Sequence, residues 1–508
     1  MAQSRTKNVS VNMSIGLVCQ IVNLILSFLS RTIFINTLGT EYLGVNGLFS
    51  NILSILSFAE LGIGNAIIFS MYEPLAKGDR QKLGSLMALY KKAYTWIGGI
   101  IISVGAAVTP FLNFIIKDKP DISESIYGIY LLFLANTAFS YFFVYKKSII
   151  IADQKNYIVV FVTEIVHVLQ VIAQVVFLLT TRNFVLYLIT QLFFTVLGNL
   201  AASVIADKLY PFLKSKAAPL EKSETKRIFK NVRSLAVYKF GSVILNGTDN
   251  ILISALVGVT EVGLVSNYIL LNSSCNAILG KIADAFTASV GNLNVYKDKQ
   301  KQYEIFNKIF FITAWLYGFA SVGLIIVSPS FIEAWIGPSY WLDSATAIAL
   351  VVGFYVKAVH FAAYTYRTTL GFFNEGKISP LLAAVLNVIF SVALWKLFGL
   401  AGIFIATPLA RVLSTGIVDP VLIYRRTFQK NPLIYYAMYA AYVLLFVLLG
   451  ILCYFAVSLI SVGGWLGVIL EILTVTVIFN ACMVLLFHRT KMFREIYHQG
   501  LRLLHLKK

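Results

Sequence analysis

The chain has 508 residues, 58% apolar, 14% aromatic and only 13% charged, with 42 Lys and Arg against 23 Asp and Glu for a net charge of +19. Soluble domains run near a quarter charged, so this composition excludes an ordinary cytosolic enzyme, a disordered chain and a secreted disulfide scaffold. Mean hydropathy is +0.79, and apolar runs of about twenty residues, enough to cross a ~30 Å hydrocarbon core, recur from end to end.

Met1 to Asn12 is polar, and the run that follows is a full span without a small-residue cleavage site, so no cleavable signal is expected. The apolar pattern predicts an all-α, polytopic membrane protein of about fourteen transmembrane helices. They fall near 12–35, 42–71, 93–116, 126–145, 158–180, 184–206, 236–257, 262–291, 308–328, 345–370, 378–395, 400–423, 436–458 and 464–487. The four cysteines, Cys19, Cys275, Cys453 and Cys482, all lie inside these runs and read as small packing residues.

An even number of spans places both termini on one side. Thirty-two Lys and Arg fall in the termini and loops of that side, four (Lys117, Lys119, Arg182, Lys396) on the other, and six within spans. Basic residues favour the cytoplasmic side, so both termini are expected there. Spread over many short loops beside lipid headgroups, these bases set topology; a nucleic-acid partner is not expected. The longest outer loop, 329–344, is too short for a catalytic domain, and the sequence has no phosphate-binding glycine loop, H-E-x-x-H or nucleophile elbow. The chain is not expected to be an enzyme.

Two stretches match at an offset of 219 residues: Arg31-Thr-Ile-Phe-Ile-Asn-Thr-Leu-Gly39-Thr-Glu-Tyr-Leu-Gly44 and Asn250-Ile-Leu-Ile-Ser-Ala-Leu-Val-Gly258-Val-Thr-Glu-Val-Gly263. Upstream, Gln20, Asn23, Ser27 and Arg31 fall on Lys239, Ser242, Asn246 and Asn250, a polar stripe along one helical face in each copy. The offset covers six spans, so both copies enter the membrane in the same direction, as in parallel repeats with substrate held between two lobes. The expected organisation is an N-terminal lobe (1–206), a basic cytoplasmic linker (207–235), a C-terminal lobe (236–435), spans 13–14 (436–487) and a basic tail (488–508). The tail, with Arg489, Lys491, Arg494 and Arg502 among leucines, is expected to lie on the inner leaflet.

An ionisable group at mid-bilayer costs ~2.5–3.5 kcal/mol on insertion scales and should face a cavity or a partner. The in-span bases are Arg31, Lys239, Lys281, Lys357, Arg367 and Arg411, the candidate cationic cavity for an anionic substrate. Lys281 and Asp284, three apart, could instead neutralise each other, and Arg31, Lys239 and Arg367 lie close enough to a membrane face to snorkel. Lys357, His360, Tyr364 and Arg367 share one face of span 10, and Asn246, His360 and Tyr364 are candidate polar contacts to sugar. The in-span acids are Glu60, Glu164, Asp249, Asp284 and Glu471; Glu60, Asp249 and Asp284 are the candidate sites for a coupling H+ or Na+. No other cofactor or metal is expected.

Phe58-Ala-Glu-Leu-Gly-Ile-Gly-Asn-Ala-Ile67, Met71-Tyr-Glu-Pro-Leu-Ala-Lys-Gly-Asp79, Tyr90-Lys-Lys-Ala-Tyr94, Asn246-Gly-Thr-Asp-Asn-Ile-Leu-Ile253, Ser266-Asn-Tyr268, Ser289-Val-Gly-Asn-Leu293 and Tyr366-Arg-Thr-Thr-Leu-Gly371, in this order and spacing, resemble the polysaccharide transporter family. These are the O-antigen and capsule repeat-unit flippases of the multidrug/oligosaccharidyl-lipid/polysaccharide exporter superfamily. The resemblance covers spans 1–12 and weakens over the last two. It implies alternating-access movement of undecaprenyl-diphosphate-linked oligosaccharide across the bacterial plasma membrane, with the lipid-linked oligosaccharide, membrane lipids, a polysaccharide polymerase and glycosyltransferases as partners. Arg31 resembles an arginine of the related peptidoglycan-precursor flippases, with the spacing to the following glycine different by one. The alternative readings are a multidrug or cation exporter of the same superfamily and a peptidoglycan-precursor flippase.

Overall fold

The computed structural model describes residues 2–503 apart from 61–62, 118–119, 143, 215–218, 222, 227, 229–240, 242–243, 246, 294–297, 371, 373–374 and 377, with backbone alone described at 2–14, 17, 58–59, 65–66, 214, 283–293 and 499–503. Among the described residues the regular structure is all helical. Among the described residues eleven stretches are long and apolar enough to cross a membrane.

The fourteen expected spans map onto these eleven with physical reasons for the difference. Ser379–Phe428 holds spans 11 and 12 together, because the helices on either side of Gly399 (φ 57°) run on without a loop. The second span is divided into Thr40–Leu56 and Ile63–Lys77, 17 and 15 residues, with a 3-10 turn at Ser57–Glu60 between them. The seventh lies partly outside the described residues. The chain is an integral membrane protein.

Packing divides the chain into two compact units, Met1–Ser266 and Asn267–Lys508. The first holds α1 (Ala2–Leu38), α2 (Thr40–Leu56), α3 (Ile63–Lys77), α4 (Arg80–Val108), the short α5 (Leu112–Ile115), α6 (Ile126–Tyr141), α7 (Lys147–Ala152), α8 (Asn156–Thr181), α9 (Phe184–Leu209), α10 (Asp249–Leu256) and the start of α11 (Val259–Leu293). The ends of these helices are written in the sequence. Asp79 accepts from Lys82 N at 2.9 Å to start α4, and Asn183 accepts from Leu186 N at 2.9 Å to start α9, each meeting a backbone donor that the first turn leaves free.

The duplicated turns meet inside this unit. A Cβ on Gly44 would stand 2.0 Å from Val259 O, and one on Gly263 would stand 2.4 Å from Thr40 O. Thr40 and Val259 are themselves 219 apart, as are Gly44 and Gly263, so the two contacts are copies of each other. The Arg31–Ser266 bond, 2.9 Å, and the approach of Asn250 to Gly47, 3.9 Å from its would-be Cβ, are related in the same way. Each repeat therefore presents its glycine to the other's backbone, which is why glycine stands at both positions.

The second unit contains the rest of α11, then α12 (Lys299–Ile336), α13 (Ser344–Val359), α14 (Phe361–Thr369), α15 (Ser379–Val412), α16 (Thr415–Ile423), α17 (Leu433–Val457), α18 (Gly464–Phe487) and α19 (Lys491–Leu503). Its core is aromatic: Phe306, Phe310 and Phe311 of α12 pack with Tyr366, Tyr424, Phe428 and Tyr435. Asp298 and Asp343 cap α12 and α13. The basic tail helix α19 docks on its own protein. Phe493 stacks on Trp315 with ring centroids 5.8 Å apart, and Lys308 Nζ is 2.6 Å from Glu495. These contacts add a protein partner to a tail expected on the inner leaflet and do not bear on that expectation.

Candidate functional site

The second unit carries a cluster of charge at the α13–α14 junction and at two helix breaks near it. α13 ends at Val359 and α14 begins at Phe361, so His360 stands at the joint. α15 ends near Arg411; Ser414 (φ −121°, ψ −93°) then breaks the chain before α16. Inside α16, Pro420 has no N–H to offer the carbonyl four residues back. The Tyr436 hydroxyl supplies the missing donor, reaching Gly416 O at 3.1 Å.

These breaks bring Asp419 against two bases. Arg367 NH1 donates to Asp419 Oδ1 at 2.7 Å, and His360 Nε2 lies 2.9 Å from Asp419 Oδ2. Arg367 Nε also donates to Phe372 O at 3.2 Å. Asp419 and Arg367 are 0% and 1% exposed, His360 8%. A buried charge is tolerated where it is paired and hydrogen-bonded, and here one carboxylate meets both bases.

On the other side of His360 lies a niche of about 60 Å³ that it lines with Arg411 and with Tyr435, Tyr436 and Tyr439 of α17. The niche opens on a far larger cleft of about 790 Å³ between α13 and α17 with α12 behind, sharing Val356, Val412 and Tyr439 with it. The cleft is apolar along its length, lined by side chains such as Val322, Ile348, Val352 and Phe446. One concavity thus joins an apolar slot to a pocket holding an arginine and a histidine. That arrangement suits an amphiphile with a long apolar chain and an anionic head.

The remaining expected residues are distributed as follows. The shared face of span 10 divides by burial: Lys357 and Tyr364 are exposed, whereas His360 and Arg367 turn inward to Asp419. The expectation that Arg367 lines an open cavity is corrected, because its charge is used inside the fold. His360 likewise has one ring nitrogen committed to Asp419. Lys281 is exposed on α11. Lys239, Asn246 and the side chain of Asp284 lie outside the described residues.

In the first unit Arg31 is half-buried and donates to Ser266 Oγ at 2.9 Å. Glu60 accepts from the Tyr94 hydroxyl, to which Tyr90 donates in turn at 3.2 Å. Glu164 accepts from Asn23 Nδ2 at 2.8 Å. Asp249 sits in the first turn of α10, where the helix dipole favours a carboxylate. Among the described residues no group of three or more His, Cys, Asp or Glu is arranged to hold a metal ion.

Asp419 is the residue that sequence reasoning missed. It lies within the expected span 400–423, and an in-span carboxylate beside a proline was the available signal.

No protein-family model matches the sequence, and no curated protein matches it. Solved structures do. A lipid II flippase MurJ in an inward closed conformation is similar with a TM-score of 0.63 at 15% identity, over 93% of this chain and 98% of that one. An inward-facing multidrug resistance MATE family transporter of the MOP superfamily gives 0.62 at 13% identity, over 80% and 96%. The Vibrio cholerae MATE transporter VcmN, as a mutant, gives 0.55 at 12% identity, over 84% and 100%. The likeness is one of fold. The chain has the polytopic helical architecture that MATE transporters and MurJ share.

Proposed function

We propose that this protein is a flippase for lipid-linked oligosaccharides, carrying an undecaprenyl-diphosphate-linked repeat unit across a bacterial plasma membrane for surface polysaccharide synthesis. The observation that carries the reading is the joined concavity of the second unit, an apolar cleft of about 790 Å³ ending at a niche with Arg411 and His360. Hydrocarbon does not solvate a diphosphate; a fixed guanidinium in a niche does, by charge-assisted hydrogen bonds. The cleft offers the prenyl chain an apolar wall, and the tyrosine faces suit sugar rings. The fold shared with a lipid II flippase is consistent with such a cargo, as are the residues that resemble the polysaccharide transporter family. No chemistry on the cargo is needed: lobes 1–206 and 236–435 alternate access while both termini stay cytoplasmic, and a polymerase and glycosyltransferases act before and after.

The second reading is a multidrug exporter, favoured by the shared fold with MATE transporters and by the ability of Tyr435, Tyr436 and Tyr439 to meet a cation over their ring faces. One experiment separates the two. The purified chain is reconstituted in liposomes with a prenyl-diphosphoryl oligosaccharide, and headgroup exposure is followed with an impermeant lectin. Translocation that is lost in Arg411→Glu is expected. Efflux of lipophilic cations with no movement of the diphosphate-linked sugar would replace this reading by the second.

A further inference from the structure

The niche and the buried ion pair share one side chain, His360. Its Nε2 is held by Asp419 Oδ2 at 2.9 Å, and the other oxygen of that carboxylate is taken by Arg367 NH1 at 2.7 Å. With a neutral imidazole, Arg367, Asp419 and His360 sum to zero charge. Its Nδ1, which makes no hydrogen bond among the described residues, is the nitrogen left for the niche where the ring stands beside Arg411. A proton taken up there makes the trio net positive.

We infer that His360, held by Asp419 and Arg367, is a proton-binding site linked to the anion niche, so that an anionic headgroup and a proton are bound together. The inference rests on the reading of the niche as a headgroup site.

The linkage follows from the charges that surround the ring. On its own stretch of chain stand Lys357 three residues before and Tyr364 and Arg367 after; α15 contributes Arg411, α16 Asp419, and α17 Tyr435, Tyr436 and Tyr439. Glu375, in the loop beyond α14, is bonded to Arg426 at 2.8 Å. Among the described residues Asp419 is the acid that meets His360, and it is already shared with Arg367. A positive charge on the niche side of the ring is compensated when an anion fills the niche, so proton and anion each favour the other. Binding coupled in one direction is coupled in the other by the same factor. Imidazole is the side chain whose ordinary titration falls between pH 5 and 8, whereas phenols ordinarily titrate near pH ~10, so the three tyrosines keep their charge over this range.

The test uses the full chain in lipid nanodiscs and a short-chain prenyl-diphosphoryl-N-acetylglucosamine, both of whose phosphates are esterified, so that the probe itself takes up no proton between pH 5.5 and 8.5. Binding is measured by calorimetry over that range in paired buffers of different ionisation enthalpy. The wild type is expected to take up about one proton per probe near the middle of the range, and its affinity to fall by up to about tenfold per pH unit toward the alkaline end. His360→Gln and His360→Asn are expected to bind the probe with a flat profile and no proton uptake. Uptake in the wild type needs no variant, so the inference stays exposed if both substitutions fail to fold. Binding without proton uptake in the wild type overturns it while leaving the headgroup reading in place. An unchanged pH profile in His360→Gln does the same, by placing the proton elsewhere. Failure of the wild type to bind the probe at any pH overturns the headgroup reading as well.

Discussion

The reciprocal glycine contact makes a sharp demand on substitution. Alanine at Gly44 would put its Cβ 2.0 Å from Val259 O, and alanine at Gly263 would put one 2.4 Å from Thr40 O. Both obstacles are backbone carbonyls at the start of a helix, so no side chain can rotate away; the helices themselves must part by roughly 1 Å or more. Overpacking of that kind costs about 1–3 kcal/mol. Alanine in a helix interior gains at most ~1 kcal/mol over glycine, so each substitution is expected to destabilise. Gly99, exposed within α4 with nothing inside 4 Å of its would-be Cβ, supplies the control. Gly99→Ala is expected to be neutral or up to ~1 kcal/mol stabilising. The assay is reversible unfolding of the purified protein in mixed micelles, with midpoints compared across the three single variants. A further expectation concerns the double variant. Once one alanine has opened the seam the second meets less resistance, so the two costs are expected to sum to less than their separate values, as they do for groups that share a contact. Equal midpoints for Gly44→Ala, Gly263→Ala and Gly99→Ala would refute the close approach and the repeat-related packing with it.

Asp419→Ala leaves Arg367 buried without its carboxylate and is expected to cost about 3–5 kcal/mol, read as a lowered melting point; Arg367→Met combined with Asp419→Leu is expected to recover most of it. Tyr94→Phe removes the hydroxyl that donates to Glu60 and is expected to cost about 1–3 kcal/mol, whereas Tyr72→Phe, a half-exposed control, is expected to change nothing measurable. Removing residues 489–508 uncovers Trp315 by taking away Phe493, with an expected loss of about 1.5–3 kcal/mol of apolar burial and a shift in tryptophan emission. Lys308 holds the Glu495 carboxyl below its ordinary value of 4.5. A carboxylate whose folded pKa is depressed stabilises above the unfolded value and loses that contribution as pH falls through the folded one. Tail docking is therefore expected to be constant at neutral pH and to loosen only in acid below about 4.5; emission that changes between pH 6 and 8 would contradict it.

Much of this molecule was legible in one dimension because the signals are local. Twenty apolar residues in a row announce a membrane helix whatever surrounds them, and Asp79, Asn183, Asp298 and Asp343 mark helix starts by chemistry that spans three residues. The repeat was also legible, since Gly44 and Gly263 keep their spacing from Gly39 and Gly258 in each copy. What only the folded chain decided was the use of the buried charges. Periodicity placed Lys357, His360, Tyr364 and Arg367 on one broad face of span 10, but only the fold decided that His360 and Arg367 turn to Asp419 while Lys357 and Tyr364 stay exposed. Asp419 acquires its role from Arg367, 52 residues away, and Arg31 meets Ser266 across 235. Sequence alone determined that charges in the spans would need partners, because the cost of burying a charge is a property of the residue and its medium. Which partner each one found was decided by tertiary structure, because pairing depends on distances of a few ångströms between segments whose approach no local pattern encodes.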